Sequence, residues 1–457
     1  MNKKIAIIGA GFSGAATAIH LLTLHGQKPF KVTLINRHAN LARGVAYGTH
    51  SPVHWLNVPA GRMSVFPDRE HDFLEFARTT DASITASDFV RRSLYGEYLH
   101  TRLDQAAAAA GKAQLAVMTG EITALRLEQD AAVLDFSDGR SLQADRVVLA
   151  VGHYPPADPP VPDHGVFAGA NYVRDPWAPG ALDHIPLHQP VLLLGTGLTM
   201  VDVTLDLDQR GYRGTLMALS RHGLLPQAHR TLREMPQLEP PAEWLVGAAS
   251  ARAYLHTVRA AVAASAQHGR DWRDVIGALR PVTPALWQAL TKNERRRFLR
   301  HLQAYWDSHR HRTAPISAQR LTQLLARGML TVDAGRLQGL RPVADGIQVD
   351  WQPRGKSRTE HWRGAALINC TGPESRLRCL ADPLIRGMLA GGLLTADALE
   401  LGVATDAEGA LLDNAGQPSR VVYYTGPLLR ARDWECTAVP ELRRAALRLA
   451  DRLAGTW

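Results

Sequence analysis

The sequence is poor in cysteine and contains no long hydrophobic run. Its 457 residues include three cysteines, Cys370, Cys379 and Cys436, and no two of them form a Cys-x-x-Cys pair. Neither a disulfide framework nor a paired-thiol redox centre is therefore predicted. No stretch reaches the roughly 18 apolar residues that a membrane span needs, and glycines interrupt the apolar run at the N-terminus. We therefore expect a soluble protein of the reducing cytoplasm, without a membrane partner.

The sequence also lacks a concentrated block of charge. Lys and Arg number 52 against 43 Asp and Glu, which gives a net charge of +9, but most basic residues are scattered among acids. The tight basic run at 294–298, ERRRF, has the pattern of a solvated helix face. Nucleic acid is therefore not a predicted partner, and anionic cofactors or substrates are a sufficient reason for the positive charge. The sequence leaves the oligomeric state open.

A metal centre is not predicted either. The segment YWDSHRHR contains Asp307, His309 and His311, but histidines at positions i and i+2 do not share one face of a helix. No further acid or cysteine follows at a spacing typical of metal ligands. The arginines of this region are predicted to coat the helices, or to hold a carboxylate or a phosphate.

What the sequence does contain is a set of continuous apolar runs, which are typical of parallel strands covered on both faces. They lie at 5–8, 147–150, 191–194 and 366–368. Two of them feed glycine turns that open helices, and the other two end in glycine and proline. This order predicts an α/β fold with two Rossmann-like dinucleotide-binding domains, one inserted in the other. The predicted parts are 1–160, an inserted domain at 161–375 with a helical insertion at about 240–328, and a return at 376–457.

The first glycine turn, GAGFSG, has the residues that hold a dinucleotide. Gly9 permits a tight turn after the strand, Gly11 lets the backbone approach a pyrophosphate, and Gly14 lets the helix pack closely on the strand. The helix that follows begins with Phe12 and Ser13, and its unpaired N–H groups favour an anion. All five residues are predicted cofactor contacts.

The second strand ends in an amide rather than the acid that usually binds the adenosine ribose. In VTLINRH this position is Asn36, whose side-chain oxygen can accept a ribose hydrogen bond without a charge. Arg37 is predicted to face adenine or phosphate instead.

The second glycine turn, GTGLTM, predicts a different nucleotide. It keeps Gly195 and Gly197 before Leu198 and Thr199, but Met200 replaces the third small residue, so its helix should stand further from the strand. The next strand is followed by Arg221, a positive side chain where a 2′-phosphate would lie. We therefore expect the first turn to bind a flavin dinucleotide and the second to bind NADPH, less favourably NADH.

Several ordered blocks resemble the bacterial FAD/NAD(P)-binding family of two-dinucleotide-binding-domain flavoproteins, which includes aspartate N-monooxygenase (nitrosuccinate synthase). The similarity extends over nearly the whole chain, and flavin-containing and N-hydroxylating monooxygenases are more distantly similar. The blocks are ARGVAYGT, LNVPAGRMSVFPD, RRSLYGEYL, LLGTGLTMVDV, ALSRHGLLPQAH, LINCTGPE and YYTGPLLRARDWECTAVPELR.

The resemblance implies an active-site asparagine in LNVPAGRMSVFPD. By this similarity Asn57 lies over the flavin, and Arg62, Met63 and Ser64 line the same face. The alternative is that Asn57 is a buried loop residue that merely satisfies backbone groups.

The resemblance implies further cofactor contacts in two other blocks. The segment LAVGHYPP, which contains Gly152, is similar to a segment of N-hydroxylating monooxygenases in which the chain crosses between domains near the cofactors. In the C-terminal block, Gly426 and Pro427 approach the flavin ring with backbone alone, and a helix beginning around Pro440 points its N-terminus at it. Trp434 packs beside the ring or belongs to the core.

These expectations together predict an FAD-dependent, NAD(P)H-oxidising monooxygenase that uses dioxygen on a small polar substrate. N-hydroxylation of an amino acid is the substrate class that the resemblance implies. The alternatives are hydroxylation of a heteroaromatic ring such as urate, an NAD(P)H-dependent flavin reductase without oxygen insertion, and a nonenzymatic nucleotide sensor.

Overall fold

The computed structural model describes residues 3–230, 238–239, 244 and 247–455. The strands are β1 (Lys3–Ile8), β2 (Phe30–Asn36), β3 (Gln114–Thr119), β4 (Ile122–Glu128), β5 (Ala131–Phe136), β6 (Ser141–Ala144), β7 (Arg146–Leu149), β8 (Tyr172–Val173), β9 (Val191–Leu194), β10 (Leu216–Ser220), β11 (Leu330–Val343), β12 (Gly346–Pro353), β13 (Glu360–Gly364), β14 (Ala366–Asn369), β15 (Ala410–Leu412) and β16 (Pro418–Tyr424).

Helices alternate with these strands. They are α1 (Phe12–His25), α2 (Gly44–Tyr47), α3 (Asp72–Thr80), α4 (Arg92–Ala109), α5 (Leu198–Gln209), α6 (Ala251–Gln267), α7 (Trp272–Leu279), α8 (Thr283–Ala289), α9 (Lys292–His301), α10 (Gln303–Arg310), α11 (Pro315–Ala326), α12 (Pro383–Ala390) and α13 (Val439–Gly455). Short 3-10 helices include Ala60–Arg62 and Pro427–Ala431. Among the described residues, no helix combines the length and hydrophobicity that crossing a bilayer requires.

The first sheet joins the two ends of the chain. Its strand order is β15-β16-β7-β1-β2-β3, and all its pairs are parallel except the edge pair β15–β16. Both faces of β1 are buried: Ile5 and Ile7 pack in the core with α1, α4 and α13, while Ala6 and Ile8 face β4–β6 and α12. This two-sided burial explains the continuous apolar run. The C-terminal strand β16 therefore completes the sheet that the N-terminus begins.

The second sheet has the order β13-β12-β11-β10-β9-β14-β8. Strands β11, β10, β9, β14 and β8 pair in parallel, and β12 and β13 extend the sheet as antiparallel strands. The antiparallel extension arises because β11 is long and continues beyond the end of β10. Each sheet thus contains the strand that leads into one of the predicted glycine turns. The predicted strand at 191–194 coincides with β9.

The described helices at 251–326 agree with the predicted helical insertion. Part of its expected beginning, residues 240–243, 245 and 246, lies outside the described residues. Helix α11 packs on α5, where Arg320 forms an ion pair with Asp208 at 2.7 Å. The preceding helices have their own apolar core, and Trp287 of α8 packs on Trp434 of the C-terminal segment. The insertion therefore reaches back to the C-terminal part of the chain.

Polar contacts join the two sheet units near their glycine turns. Arg92 of α4 pairs with Asp202 of α5 at 2.8 Å, and both side chains are about 10% exposed. Ser51 donates a hydrogen bond to Asp206 of α5 at 2.6 Å. Helix α5 is therefore held by charged and polar groups of the first unit.

Candidate functional site

The first glycine turn has little room for side chains at two of its three positions. Gly9 has a φ of +105°, and a methyl group added there would lie 2.2 Å from the carbonyl oxygen of Ala150. A methyl group on Gly14 would lie 1.9 Å from the carbonyl oxygen of Gly9. Gly11 precedes α1, and no side chain caps the helix there. The free N–H groups at this helix start can bind an anion.

The second glycine turn repeats this geometry. Gly195 has a φ of +108°, and an added methyl group would lie 2.4 Å from the carbonyl oxygen of Cys370. The Gly195 N–H donates to the carbonyl of Leu219 at 2.8 Å, just as the Gly9 N–H donates to that of Ile35 at 2.8 Å. The chain thus builds the same backbone turn twice, each time between two parallel strands.

The second turn differs from the first in its surroundings. Gly197 precedes α5 without a side-chain cap, and a methyl group there would meet nothing within 4 Å. Leu198 and Thr199 begin the helix and are half-buried, whereas Met200 is fully buried in the core at the position of the missing third glycine. The space next to Gly197 is therefore open to a ligand.

Aromatic and C-terminal residues surround the start of α1. Phe12 stacks on Tyr95 with the ring centroids 6.3 Å apart. Ser13 is buried, and its Oγ lies 3.6 Å from the position of a methyl group added at Gly426. The loop after β16 therefore lies beside the first glycine turn, which brings Ser13, Gly426 and Pro427 together.

The two residues after β2 are already engaged in hydrogen bonds. The Asn36 amide donates to the carbonyls of His38 and Asn40, and its oxygen accepts a long bond of 3.4 Å from the Ala10 N–H. Its oxygen retains a lone pair that a ribose hydroxyl can use. Arg37 is half-exposed and pairs with Asp382 at 2.7 Å.

The segment after Asn57 divides into an exposed and a buried part. Arg62 is exposed, whereas Met63 and Ser64 are buried. The Ser64 hydroxyl donates to the Phe66 carbonyl, and the Ser64 carbonyl accepts from Arg443 of α13 at 2.8 Å. The structure therefore brings Met63 and Ser64 under the C-terminal helix and leaves Arg62 at the surface.

Asn57 lies half-buried against the second unit. Its carbonyl oxygen accepts a hydrogen bond from His229 Nε2 at 3.0 Å. Burial, and then the charge of Arg312, lower the pKa of His229 to about 3, so the ring is neutral. The Asn57 side-chain amide makes no hydrogen bond within the described part of the chain, so it does not serve to satisfy backbone groups there.

Gly152 and His153 follow β7, whose end lies beside the end of β16. Gly152 has a φ of +70°, and a methyl group there would meet nothing within 4 Å. His153 is exposed, yet the surrounding protein, and then Arg430, lower its pKa to about 4. Gly152 and His153 therefore lie at the carboxyl end of the first sheet, with Arg430 near enough to His153 to influence its titration.

A partly buried charged cluster lies between α10 and the C-terminal segment. His311 Nε2 is 3.4 Å from Glu435 and 3.6 Å from Asp307, and Trp306 Nε1 donates to Glu435 at 2.6 Å. Arg310 is the third partner of Glu435, at 3.4 Å. Glu435 has a φ of +75°, a conformation that costs a non-glycine residue energy. Tertiary contacts therefore hold Glu435 in this unfavourable backbone conformation.

The charges in this cluster are mutually compensated. Burial favours neutral His311, but Glu435 and Asp307 outweigh it and raise the pKa of the ring. Burial likewise favours protonated Glu435, but His311 and Arg310 outweigh it and hold the pKa of this carboxyl well below its usual range. Burial raises the pKa of Asp307.

Asp307, His311 and Glu435 have ligand atoms within 4.8 Å of one another, which is the geometry of a small cation site. A metal ion would have to displace the Trp306 hydrogen bond and lie beside Arg310, so the donor set suits an ion-pair network better. His309 points elsewhere, with its ring 4.8 Å from that of Trp272.

Trp434 belongs to the packing between the insertion and the C-terminal segment. Its ring stacks on Trp287 with centroids 4.6 Å apart, and the guanidinium of Arg430 lies 4.1 Å above it. The indole is 2% exposed, and its Nε1 has no hydrogen-bond partner among the described residues. This agrees with the core alternative for Trp434.

A basic pocket follows β10. Arg221 lines a cavity of about 470 Å³ whose other charged groups are Arg336, Arg354 and Lys356. The sequence indicated only Arg221, because the other residues come from a hairpin more than a hundred positions later. His153, Arg430 and Glu435 were missed for the same reason, although each lies within or beside a block that carries the family resemblance.

A known family model matches the N-terminal part of the chain. Residues 6–154 match a family model described as FAD-NAD(P)-binding, a range that contains the first glycine turn and β7. No curated protein sequence matches the chain.

Solved structures with the same fold cover nearly the whole chain. Ornithine N-hydroxylase from Kutzneria sp. 744 is 14% identical with a TM-score of 0.66, and 99% of each chain is covered. L-lysine 6-monooxygenase from Pseudomonas syringae is 17% identical with a TM-score of 0.66 and the same coverage. Thioredoxin reductase from T. acidophilum is 9% identical with a TM-score of 0.52, over 99% of this chain and 98% of that one. The predicted fold of two dinucleotide-binding domains is therefore confirmed.

Proposed function

We propose that this chain is an FAD-dependent, NADPH-oxidising monooxygenase that inserts one oxygen atom into a small polar substrate. The observation that carries the proposal is the repeated glycine turn, in which Gly9 and Gly195 share backbone angle, hydrogen bonding and close contact with a neighbouring strand. Each turn lies between parallel strands of its own sheet. Two such turns suit one dinucleotide that stays bound and a second that binds and dissociates in each reaction cycle. This arrangement favours hydride transfer between two cofactors over a role in nucleotide sensing.

We assign FAD to the first turn because the C-terminal segment closes over it. Ser13 at the start of α1 lies next to Gly426, and Arg443 of α13 holds the carbonyl of Ser64. These contacts fix the C-terminal segment beside the proposed diphosphate site. When bound, FAD supplies hydride acceptance and the activation of dioxygen, while the chain orients the reactants.

We assign NADPH to the second turn. The space beside Gly197 is open, and α5 offers uncapped N–H groups to a diphosphate. Arg221 lies in a pocket lined by further cations and by no acid. A 2′-phosphate suits this pocket better than a 2′-hydroxyl, which supports NADPH over NADH.

Two arginines without a carboxylate partner support an anionic group in the substrate. Among the described residues, neither Arg312 nor Arg430 has a carboxylate within ion-pair distance. Burial, and then the neighbouring arginines, lower the pKa of Arg312 to about 10, so an anion bound there would relieve the repulsion. A carboxylate fits this requirement, and N-hydroxylation of an amino acid, the activity that the family resemblance implies, is the finer form of our proposal.

Asn57 is our candidate for the residue that faces the reacting oxygen. Its side-chain amide is free of hydrogen bonds to the described residues, and His229 fixes its backbone carbonyl. A fixed donor in a site protected from water stabilises charge that develops during oxygen transfer. We expect Met63 and Ser64 to line the flavin side of this loop.

The test uses purified protein, FAD, NADPH and isotopically labelled dioxygen. We expect yellow protein whose flavin absorbance is bleached by NADPH without oxygen, and label incorporated into the amino group of an amino acid, detected by mass spectrometry. Label in a purine ring would support the heteroaromatic alternative. Flavin reduction with rapid transfer to a quinone and no incorporated label would support the reductase. Protein that binds no flavin would contradict all three enzymatic functions.

A further inference from the structure

We infer that Arg336 and Arg354 join Arg221 in a clamp for the 2′-phosphate of a dinucleotide, so that the β11–β12 hairpin determines cofactor choice. The inference deepens the proposed function and rests on it, because the ligand is the NADPH assigned to the second glycine turn. The sequence suggested a single arginine at this position. The structure adds two more from another part of the chain.

Strand register brings the three arginines to one edge of the sheet. Ser220, the last residue of β10, pairs with Ala334 of β11, so Arg221 follows beside the residues after Ala334. The hairpin then returns, and the Arg354 N–H donates to the Ala334 carbonyl at 2.8 Å. Arg336 lies two positions after Ala334 and also lines the pocket. The arrangement is therefore fixed by backbone pairing.

A hydrogen bond connects this edge to the second glycine turn. Thr196, between the two glycines of the turn, lies 2.9 Å from Ser220 through their hydroxyl oxygens. The Thr196 hydroxyl also donates to the Leu224 carbonyl at 2.7 Å. The pocket thus lies beside the proposed diphosphate site, on the side where the second strand of a dinucleotide-binding unit contacts the adenosine ribose.

The charge of the pocket calls for an anion. Its cavity of about 470 Å³ is lined by Arg221, His222, Gly335, Arg336, Gln352, Pro353, Arg354, Gly355 and Lys356. None of these residues is acidic. In the described part of the chain, no carboxylate lies within ion-pair distance of Arg221, Arg336 or Arg354, whereas Lys356 pairs with Glu360 at 3.5 Å. Three guanidinium groups are therefore available for a phosphate dianion, which prefers the forked donors of arginine.

His222 orients one of these guanidinium groups. Arg354 Nη1 donates to His222 Nδ1 at 3.0 Å, and because arginine cannot accept, this nitrogen must be unprotonated. Burial, and then the charges of Arg354 and Arg221, lower the pKa of His222, which is consistent with a neutral ring. One arm of the Arg354 fork is thus fixed, and the remaining N–H groups can bind the ligand.

The experiment measures nucleotide binding to the FAD-loaded, full-length protein by isothermal titration calorimetry. The probes are 2′,5′-ADP, which carries one phosphate at the 2′ and one at the 5′ position of the ribose, and 5′-AMP, which carries only the 5′-phosphate. We expect Arg354→Gln and Arg336→Gln each to weaken 2′,5′-ADP binding about tenfold, the effect of losing one charge-assisted phosphate contact. Binding of 5′-AMP should change by less than about twofold, since this probe makes only the contacts of adenosine and the 5′-phosphate.

Arg327→Gln is the matched control. It removes the same charge from an exposed residue of the same unit, just before β11 begins and therefore at the opposite edge of the sheet. This variant should bind both probes like the unmodified protein. Raising the salt concentration should weaken 2′,5′-ADP binding more in the unmodified protein than in Arg354→Gln, because fewer phosphate charges are neutralised in the variant.

The outcomes separate this inference from the proposed function. If NADPH reduces the flavin but both hairpin variants bind 2′,5′-ADP like the unmodified protein, the clamp is wrong and the proposed function stands. Equal losses for 5′-AMP would also overturn the clamp, because the arginines would then act on the adenosine or on the 5′-phosphate. If the loaded protein binds neither probe and NADPH does not reduce it, the assignment of NADPH itself fails.

Discussion

The neighbouring glycines of the second turn allow folding to be separated from cofactor binding. A methyl group on Gly197 would meet no atom of the described chain within 4 Å, and the Gly197 backbone, with φ of −82° and ψ of −164°, accommodates alanine. Gly197→Ala should therefore fold normally and keep its FAD. The methyl group would instead occupy the space through which a diphosphate approaches the N-terminus of α5.

The expected effect follows from the hydrogen bonds that would be lost. A charge-assisted bond from a backbone N–H to a phosphate contributes about 1.5–3 kcal/mol, and a methyl group in the approach path displaces the diphosphate from at least one such donor. We therefore expect KM for NADPH to rise about tenfold or more, measured by flavin reduction in a stopped-flow instrument without oxygen. The unfolding temperature should be unchanged.

Gly195→Ala provides the contrasting variant. Its φ of +108° and the contact of 2.4 Å with the Cys370 carbonyl make alanine strained whatever the ligand. The variant should lose about 1–3 kcal/mol of stability, seen as a lower unfolding temperature. If Gly197→Ala folds, retains FAD and keeps the KM for NADPH of the unmodified protein, then the second turn does not bind the diphosphate of NADPH, and the reasoning from the repeated turn is refuted.

Further predictions concern single side chains. Asn57→Ala should leave flavin reduction intact but release hydrogen peroxide in place of hydroxylated product, measured by a peroxidase-coupled assay; unchanged coupling would remove Asn57 from the oxygen-transfer step. Arg221→Ala should raise KM for NADPH about tenfold more than KM for NADH, which parallel steady-state titrations compare. Arg430→Gln should raise KM for the carboxylate-bearing substrate with little change in anaerobic flavin reduction, and a proportional loss of both would assign Arg430 to the flavin instead. Burial lowers the pKa of His20 from 6.5 to about 4; because the unfolded chain then binds more protons between these values, stability should fall by about 1–2 kcal/mol from pH 7 to pH 5 through this residue. His20→Gln should show a smaller acid-induced drop in unfolding temperature than the unmodified protein, and an equal drop would assign the acid sensitivity to other groups.

Features that depend on residues close together in the sequence were predictable from the sequence. The continuous apolar runs identified the central strands because both faces of β1 and β9 are buried. Gly9 and Gly195 were predictable because a tight turn after a strand requires a backbone that only glycine adopts easily. The C-terminal helix, expected around Pro440, begins at Val439.

Features that depend on pairing between distant segments were not predictable. The antiparallel sheet β4–β6 and the extension by β12 and β13 carry no glycine signature that distinguishes them from other alternating strands. Asp307 and His311 were considered without Glu435, which reaches them only because the C-terminal segment packs on the insertion. Spacing along the chain contains no information on that contact.

The sequence by itself determined that two dinucleotide turns would form, because each turn is set by the local requirement for a positive φ and for close approach of backbone to backbone. The tertiary structure alone decided what surrounds them. Strand register places Arg354 beside Ala334 at the edge that carries Arg221, and the return of the chain through β16 places Gly426 beside Ser13. These neighbours are chosen by the burial of whole sheets and helices, a property of the assembled core rather than of any segment within it.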